Sequence, residues 1–243
     1  MLIALKKLTT LLEQAQRTIL VTGGAGISTT CGYPGLAAMN KIALTDSEFH
    51  APILKLLTNR YAQSHPQEFY RMYRKTHFRP QALPSSSHLA LAHLEKAGLI
   101  TGIITFNLDY LHTLAGSKKV LEYWGGSINE NFCVAHHHSF GLEYLVEHPI
   151  PHCPFDGSLI LPVFVLRNMV AFKKRVAAGR ALLKNADLVI ICGTQLHHNF
   201  PETAANIVVI NDQPLRLQQE PALFIQGKLD SVFDALLTTL PST

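Results

Sequence analysis

Cysteine, tryptophan and charge are all scarce in this 243-residue chain. The four cysteines, Cys31, Cys133, Cys153 and Cys192, lie scattered, and the start carries no secretory leader pattern. That is not the closely spaced framework of a disulfide-stapled domain, so a reducing, cytoplasmic setting is expected. No apolar run reaches the ~20 residues that a membrane-crossing helix needs. The opening Met-Leu-Ile-Ala-Leu-Lys-Lys-Leu is broken by Lys6 and Lys7 and reads as an amphipathic helix. Charged residues make up only 16% of the chain, and the net charge of +4 is spread along it. With no dense Lys/Arg block, neither nucleic acid nor a membrane surface is expected as a partner. Internal repeats and low-complexity linkers are absent as well.

What is present is a large apolar fraction, 47%, enough to bury a sizeable core. Strand patterns (18–21, 99–105, 120–124, 187–192, 207–210, 223–225) alternate with helical ones (2–16, 46–60, 66–75, 87–96, 170–184, 229–240). Such alternation predicts an α/β domain with a doubly wound parallel sheet. Asp187 to Cys192 is continuously apolar, as suits a strand covered on both faces. Residues 127–165 lack periodicity and carry Cys, His, Pro and Gly, so they are expected to form a small inserted module.

The chain is organised around Thr18 to Leu36. An apolar strand ending at Val21 runs into Gly23, Gly24 and Gly26, with Ser28 and Thr29 behind. Glycines there allow a sharp turn and a close approach of phosphate to backbone N–H groups. The alternative is an ordinary glycine turn. Asn107 and Asp109 are polar residues in an otherwise apolar stretch at the carboxyl end of a predicted strand, where open α/β sheets bind ligands. Their partners are either a ligand or the loop's own backbone.

Gly24-Ala25-Gly26-Ile27-Ser28 followed by Gly32-Tyr33-Pro34 resembles the opening NAD-binding motif of the sirtuin (Sir2-like) family. Thr105-Phe106-Asn107-Leu108-Asp109, then Leu111-His112 and Ala115-Gly116, is similar to that family's second hallmark; Gly193-Thr194-Gln195-Leu196 is similar to its third. The resemblance implies a Rossmann-like part (about 1–45, 77–126 and 166–243), a helical lobe (about 46–76) and a zinc-ribbon-like module (about 127–165). It also implies that NAD contacts Gly24, Ala25, Gly26, Ser28, Tyr33, Pro34, Phe106, Asn107, Asp109, Gly193, Thr194, Gln195 and Asn211. Asn107 would meet the nicotinamide ribose and Asp109 the nicotinamide amide.

Several positions depart from the family pattern. The glutamine before Asn107 is Phe106. The general-base histidine falls on Trp124, and an indole is a donor only. The aspartate-phenylalanine-arginine after Pro34 is Gly35-Leu36-Ala37. The two CxxC pairs become Cys133-Val-Ala-His136 and Cys153-Pro-Phe-Asp156, whose side chains are all accepted zinc ligands. His137, His138 and His152 are alternative donors, and a module held by its own packing is the other reading. The resemblance therefore implies a divergent member that binds NAD+ and transfers ADP-ribose or weakly deacylates a protein or peptide. The second reading is a silent protein that senses NAD+ or ADP-ribose.

Overall fold

The apolar runs of the sequence become the floor of the fold. The computed structural model describes residues 1–124, 126–196 and 203–239. The chain begins with α1 (Leu2–Gln14), β1 (Thr18–Thr22) and the single turn α2 (Ala25–Ser28). A run of helices follows: α3 (Leu36–Thr45), α4 (Ile53–Leu56), α5 (Asn59–Ser64), α6 (Pro66–Thr76) and α7 (Ser86–Lys96). Next come β2 (Gly102–Thr105), α8 (Leu111–Leu114), β3 (Val120–Glu122), β4 (Asn131–Cys133), β5 (Ser139–Phe140), α9 (Leu142–Glu147), β6 (Ile160–Pro162) and α10 (Val163–Leu166). The chain closes with α11 (Lys173–Lys184), β7 (Leu188–Cys192), β8 (Asn206–Asn211), β9 (Leu223–Gln226) and α12 (Leu229–Thr239).

Six strands form a parallel sheet in the order β3-β2-β1-β7-β8-β9. Alternation along the strands splits its side chains between two faces. Leu20, Ile103, Ile190 and Val208 pack under α1, α7 and α12. Ile19, Val21, Ile104, Val189 and Ile191 face the opposite way, towards Leu183 of α11. Covering both faces accounts for the continuously apolar strands. The sheet runs one way from β1 to β2 and the other way from β1 to β7. The carboxyl ends of these strands therefore border the crevice where open sheets take ligands.

A third core lies off the sheet. Phe69, Tyr70 and Tyr73 of α6 pack with Leu145, Ile160, Leu161 and Phe164, and with Ala43 of α3. The helical lobe and the small antiparallel sheet β5-β4-β6 thus share one interior. The Tyr70 hydroxyl donates to the carbonyl of Ile160 across it.

Four elements differ from the sequence expectation. The helix expected over 46–60 is two short turns, α4 and α5. Asp46 follows α3 instead of starting a helix; its carboxylate accepts the N–H groups of Glu48 and Phe49 and the guanidinium of Arg71 at 2.7 Å. The strand expected from Leu99 starts at Gly102, because the N–H groups of Leu99 and Ile100 still bond to Leu94 at the end of α7. The strand from Val120 stops at Glu122 and not at Trp124. The helix expected from Val170 starts at Lys173, after Asn168 and Met169 take left-handed backbone (φ 51° and 59°).

Candidate functional site

Two glycine turns meet at the switch point of the sheet. Gly24 takes φ 75°, and a Cβ on Gly26 would stand 2.6 Å from the Cα and carbonyl oxygen of Gly193. The loops after β1 and β7 therefore touch backbone to backbone, which only glycine permits. Gly24, Ala25 and Gly26 stay exposed, while Ser28 is buried at the end of α2.

The end of β2 is tied to this corner by a chain of hydrogen bonds. Asn107 accepts the Gly24 N–H through Oδ1 at 2.6 Å and donates through Nδ2 to Ser28 Oγ at 2.7 Å. Ser28 Oγ donates to Asp109 Oδ2 at 2.5 Å, and Asp109 Oδ1 accepts the Leu111 N–H at 3.0 Å. Asn107 and Asp109 thus find partners in the glycine loop and in α8, as buried polar groups must. The turn from Asp109 into α8 runs through Tyr110 at φ 68°.

The other expected cofactor residues line the same rim. Tyr33 is buried, its hydroxyl 3.4 Å from the Arg79 carbonyl, and burial, with Asp109 adding to it, pushes the phenol above its usual range. Beyond Pro34 the chain enters α3 directly, leaving Leu36 62% exposed. Thr194 Oγ1 accepts the Leu196 N–H, and Asn211 Nδ2 donates to the Thr194 carbonyl at 3.1 Å. Gln195 is exposed.

Beside Asn107 the site is aromatic. The Phe106 ring lies 4.9 Å from Tyr123 and 6.3 Å from Trp124, and Tyr123 meets Trp124 edge-on at 5.5 Å. Phe106 also fills the space next to Gly23, where any Cβ would meet its own Cβ at 2.7 Å. The indole can donate one hydrogen bond but accepts no proton at neutral pH.

Sequence reasoning missed Glu122. Its side chain is 11% exposed and its Oε2 lies 3.6 Å from Arg175. Burial raises its carboxyl to about 7, with Glu130 and Asp109 adding to the rise while Ser127 and Arg175 oppose it. The available signal was a single acid in an apolar strand, two residues before Trp124. Behind Asp109, the buried rings of His88 and His112 pack 4.8 Å apart. Burial first, and His88 second, holds His112 near 3, so it is neutral at physiological pH.

Among the described residues one group has the geometry for a metal ion: Cys133, His138, Cys153 and Asp156, with ligand atoms all within 4.8 Å of one another. Bonds of about 2.0–2.3 Å to a tetrahedral zinc imply donor–donor edges of about 3.3–3.8 Å. Four of the six edges of the set, the three at His138 Nδ1 and the one from Cys133 Sγ to Asp156, measure 3.3–3.5 Å. These residues fit such an ion. The imidazole in the set comes from His138, whereas the pair spacing had pointed to His136. His136 instead places Nδ1 2.9 Å from Asp156 Oδ2.

Residues 24–199 match the profile of the Sir2 family. An NAD-dependent protein deacetylase from Thermotoga maritima is 36% identical over 79% of this chain and 77% of its own length. One from Clostridium acetobutylicum is 30% identical over 90% of this chain and 93% of its own. A solved structure of Sir2 with a p53 peptide and NAD+ superposes with a TM-score of 0.77 at 27% identity, covering 96% of this chain and 97% of that one. The glycine corner, the Asn107–Asp109 strand end and the loop at Gly193 all fall within the matched segment, and the chain belongs to the Sir2 family.

Proposed function

We propose that the chain binds NAD+ across the glycine corner and breaks its nicotinamide–ribose bond, passing the ADP-ribosyl group to an acceptor. The observation that carries this reading is the chain of hydrogen bonds Gly24–Asn107–Ser28–Asp109–Leu111, which fixes two polar side chains at the rim of the crevice. The names of the relatives, NAD-dependent deacetylases, support the same cosubstrate. Exposed backbone at Gly24 to Gly26 suits a pyrophosphate. Asn107 orients the ribose and Asp109 holds the carboxamide. When the C1′–N bond breaks, nicotinamide leaves with the bonding pair and an acceptor nucleophile takes C1′, losing its proton to solvent.

Deacylation needs more. Once an acyl oxygen has attacked the sugar, a ribose hydroxyl must be deprotonated, and Trp124 accepts no proton. Loss of a general base costs about 10²–10⁴-fold. Weak deacylation of an acylated peptide is therefore the minor activity. A silent sensor of NAD+ or ADP-ribose is the second reading, favoured by the aromatic cluster Phe106–Tyr123–Trp124 at the nicotinamide end. In either case the small module holds a structural zinc through the cluster around Cys133 and Cys153.

The test is calorimetric titration with NAD+ and with ADP-ribose, alongside nicotinamide release measured chromatographically. Micromolar binding of NAD+ with nicotinamide release, both lost in Asn107→Ala, supports the transferase. Equal binding of both ligands with no release supports the sensor. Absence of heat from either ligand overturns both readings.

A further inference from the structure

A second histidine, His136, stands beside the four-residue metal cluster, and the two imidazoles sit differently. His138 Nδ1 is 3.5 Å from Cys133 Sγ, 3.3 Å from Cys153 Sγ and 3.4 Å from Asp156 Oδ2. Its own backbone N–H donates to Cys133 Sγ at 3.2 Å, and its carbonyl accepts the Cys133 N–H. His137 takes φ 58°, which turns the chain back so that the imidazole two residues past the expected spacing points at the sulfurs. His136 reaches none of the other donors at hydrogen-bond distance. Its side chain is 68% exposed, against 40% for His138, and its Nδ1–H donates to Asp156 Oδ2 at 2.9 Å.

The other carboxylate oxygen is held too, since Asp156 Oδ1 accepts the Ser158 N–H at 2.8 Å. The carboxylate is thus held at both oxygens, with Oδ2 3.3 Å from the Cys133 sulfur. We propose that Cys133, His138, Cys153 and Asp156 bind the ion, and that His136 is a positioning residue acting on it only through Asp156. This rests on the metal part of the proposed function. Two thiolates and a carboxylate around a dication leave one negative charge, which the His136 N–H partly spreads. The carboxylate is the one oxygen donor among the four, and its orientation is set by these outer hydrogen bonds. Removing such an outer partner typically lowers metal affinity 10–100-fold.

Cobalt(II) substituted into the full-length protein separates the roles, because its visible bands and its thiolate charge-transfer band report the bound donors directly. His136→Ala is expected to leave band positions and intensities unchanged while chelator competition shows affinity 10–100-fold lower. His136→Gln, which keeps an N–H donor, recovers most of that loss. His138→Ala is expected to shift and weaken the visible bands as a nitrogen donor is lost. Altered bands in His136→Ala would make it a ligand and overturn the proposal, as would unchanged affinity in that variant. An unchanged spectrum in His138→Ala overturns it too; should that variant fail to fold, the His136 arm decides alone. No cobalt taken up by the wild-type protein would overturn the metal reading itself, leaving dinucleotide binding untouched.

Discussion

Replacing Glu122 by glutamine is expected to stabilise the protein, and increasingly so as pH rises. The carboxyl is buried at the end of β3, within electrostatic reach of Glu130, Arg175, Asp109 and Tyr110. Arg175 is already committed, its Nη2 forking both oxygens of Glu130 at 2.9 Å. One guanidinium thus serves two carboxylates, and desolvation lifts Glu122 from its ordinary 4.5 to about 7. The folded state favours the protonated acid. As pH climbs past 4.5 the unfolded chain gives up this proton first, so the native state begins to pay a penalty there. That penalty grows until about pH 7 and then stays constant, at about 3 kcal/mol. At pH 5.5 it has reached only about 1.4 kcal/mol, so between pH 5.5 and 8.5 the advantage of Glu122→Gln should widen by roughly 2 kcal/mol. Urea denaturation of both proteins at the two pH values measures it. A difference that does not change with pH, or a variant less stable than wild type at pH 8.5, would refute the burial argument.

Other expectations follow from the same geometry. Gly26→Ala drives a methyl into the backbone of Gly193; a loss of about 1–3 kcal/mol is expected, together with lost NAD+ binding, and a melting curve like wild type would contradict it. His112 and His77 are both held neutral by burial, near 3 and 4 against an ordinary 6.5. Their contribution is whole above pH 6.5 and drains away as pH falls towards those values, so His112→Gln should flatten the acid limb of the stability curve without removing it. Stripping metal with a chelator should lower the melting temperature, and added zinc should restore it. Trp124→His should raise peptide deacylation if the missing base is the main defect; no gain would show that Phe106 and Leu36 also matter.

Local chemistry was legible in the sequence; distant chemistry was not. Leu188 to Cys192 read as a buried strand because α/β sheets bury both faces, and the structure agrees. Asn107 and Asp109 stood out because polar groups in an apolar stretch demand partners. The helix expected from Asp46 failed because His50 takes left-handed backbone (φ 37°) and Pro52 follows it, although the Asp46 carboxylate still accepts the N–H groups of Glu48 and Phe49 as a cap would. The pair spacing pointed to His136; that His138 also comes within reach of both cysteines, past the left-handed His137 (φ 58°), is a matter of folded geometry that spacing does not carry. Glu122 was silent because its proton affinity is set first by burial and then by Ser127, Glu130, Arg175 and Asp109, all of which come about only on folding.

The interior shared by α6 and β6 makes the two excursions from the sheet inseparable. Neither strip of chain owns enough apolar neighbours to bury its half alone. Deleting residues 127–165 would strip cover from Tyr70 and Tyr73, so the cysteine-bearing strip is no detachable bead that could be lost or traded without unpacking the helical lobe.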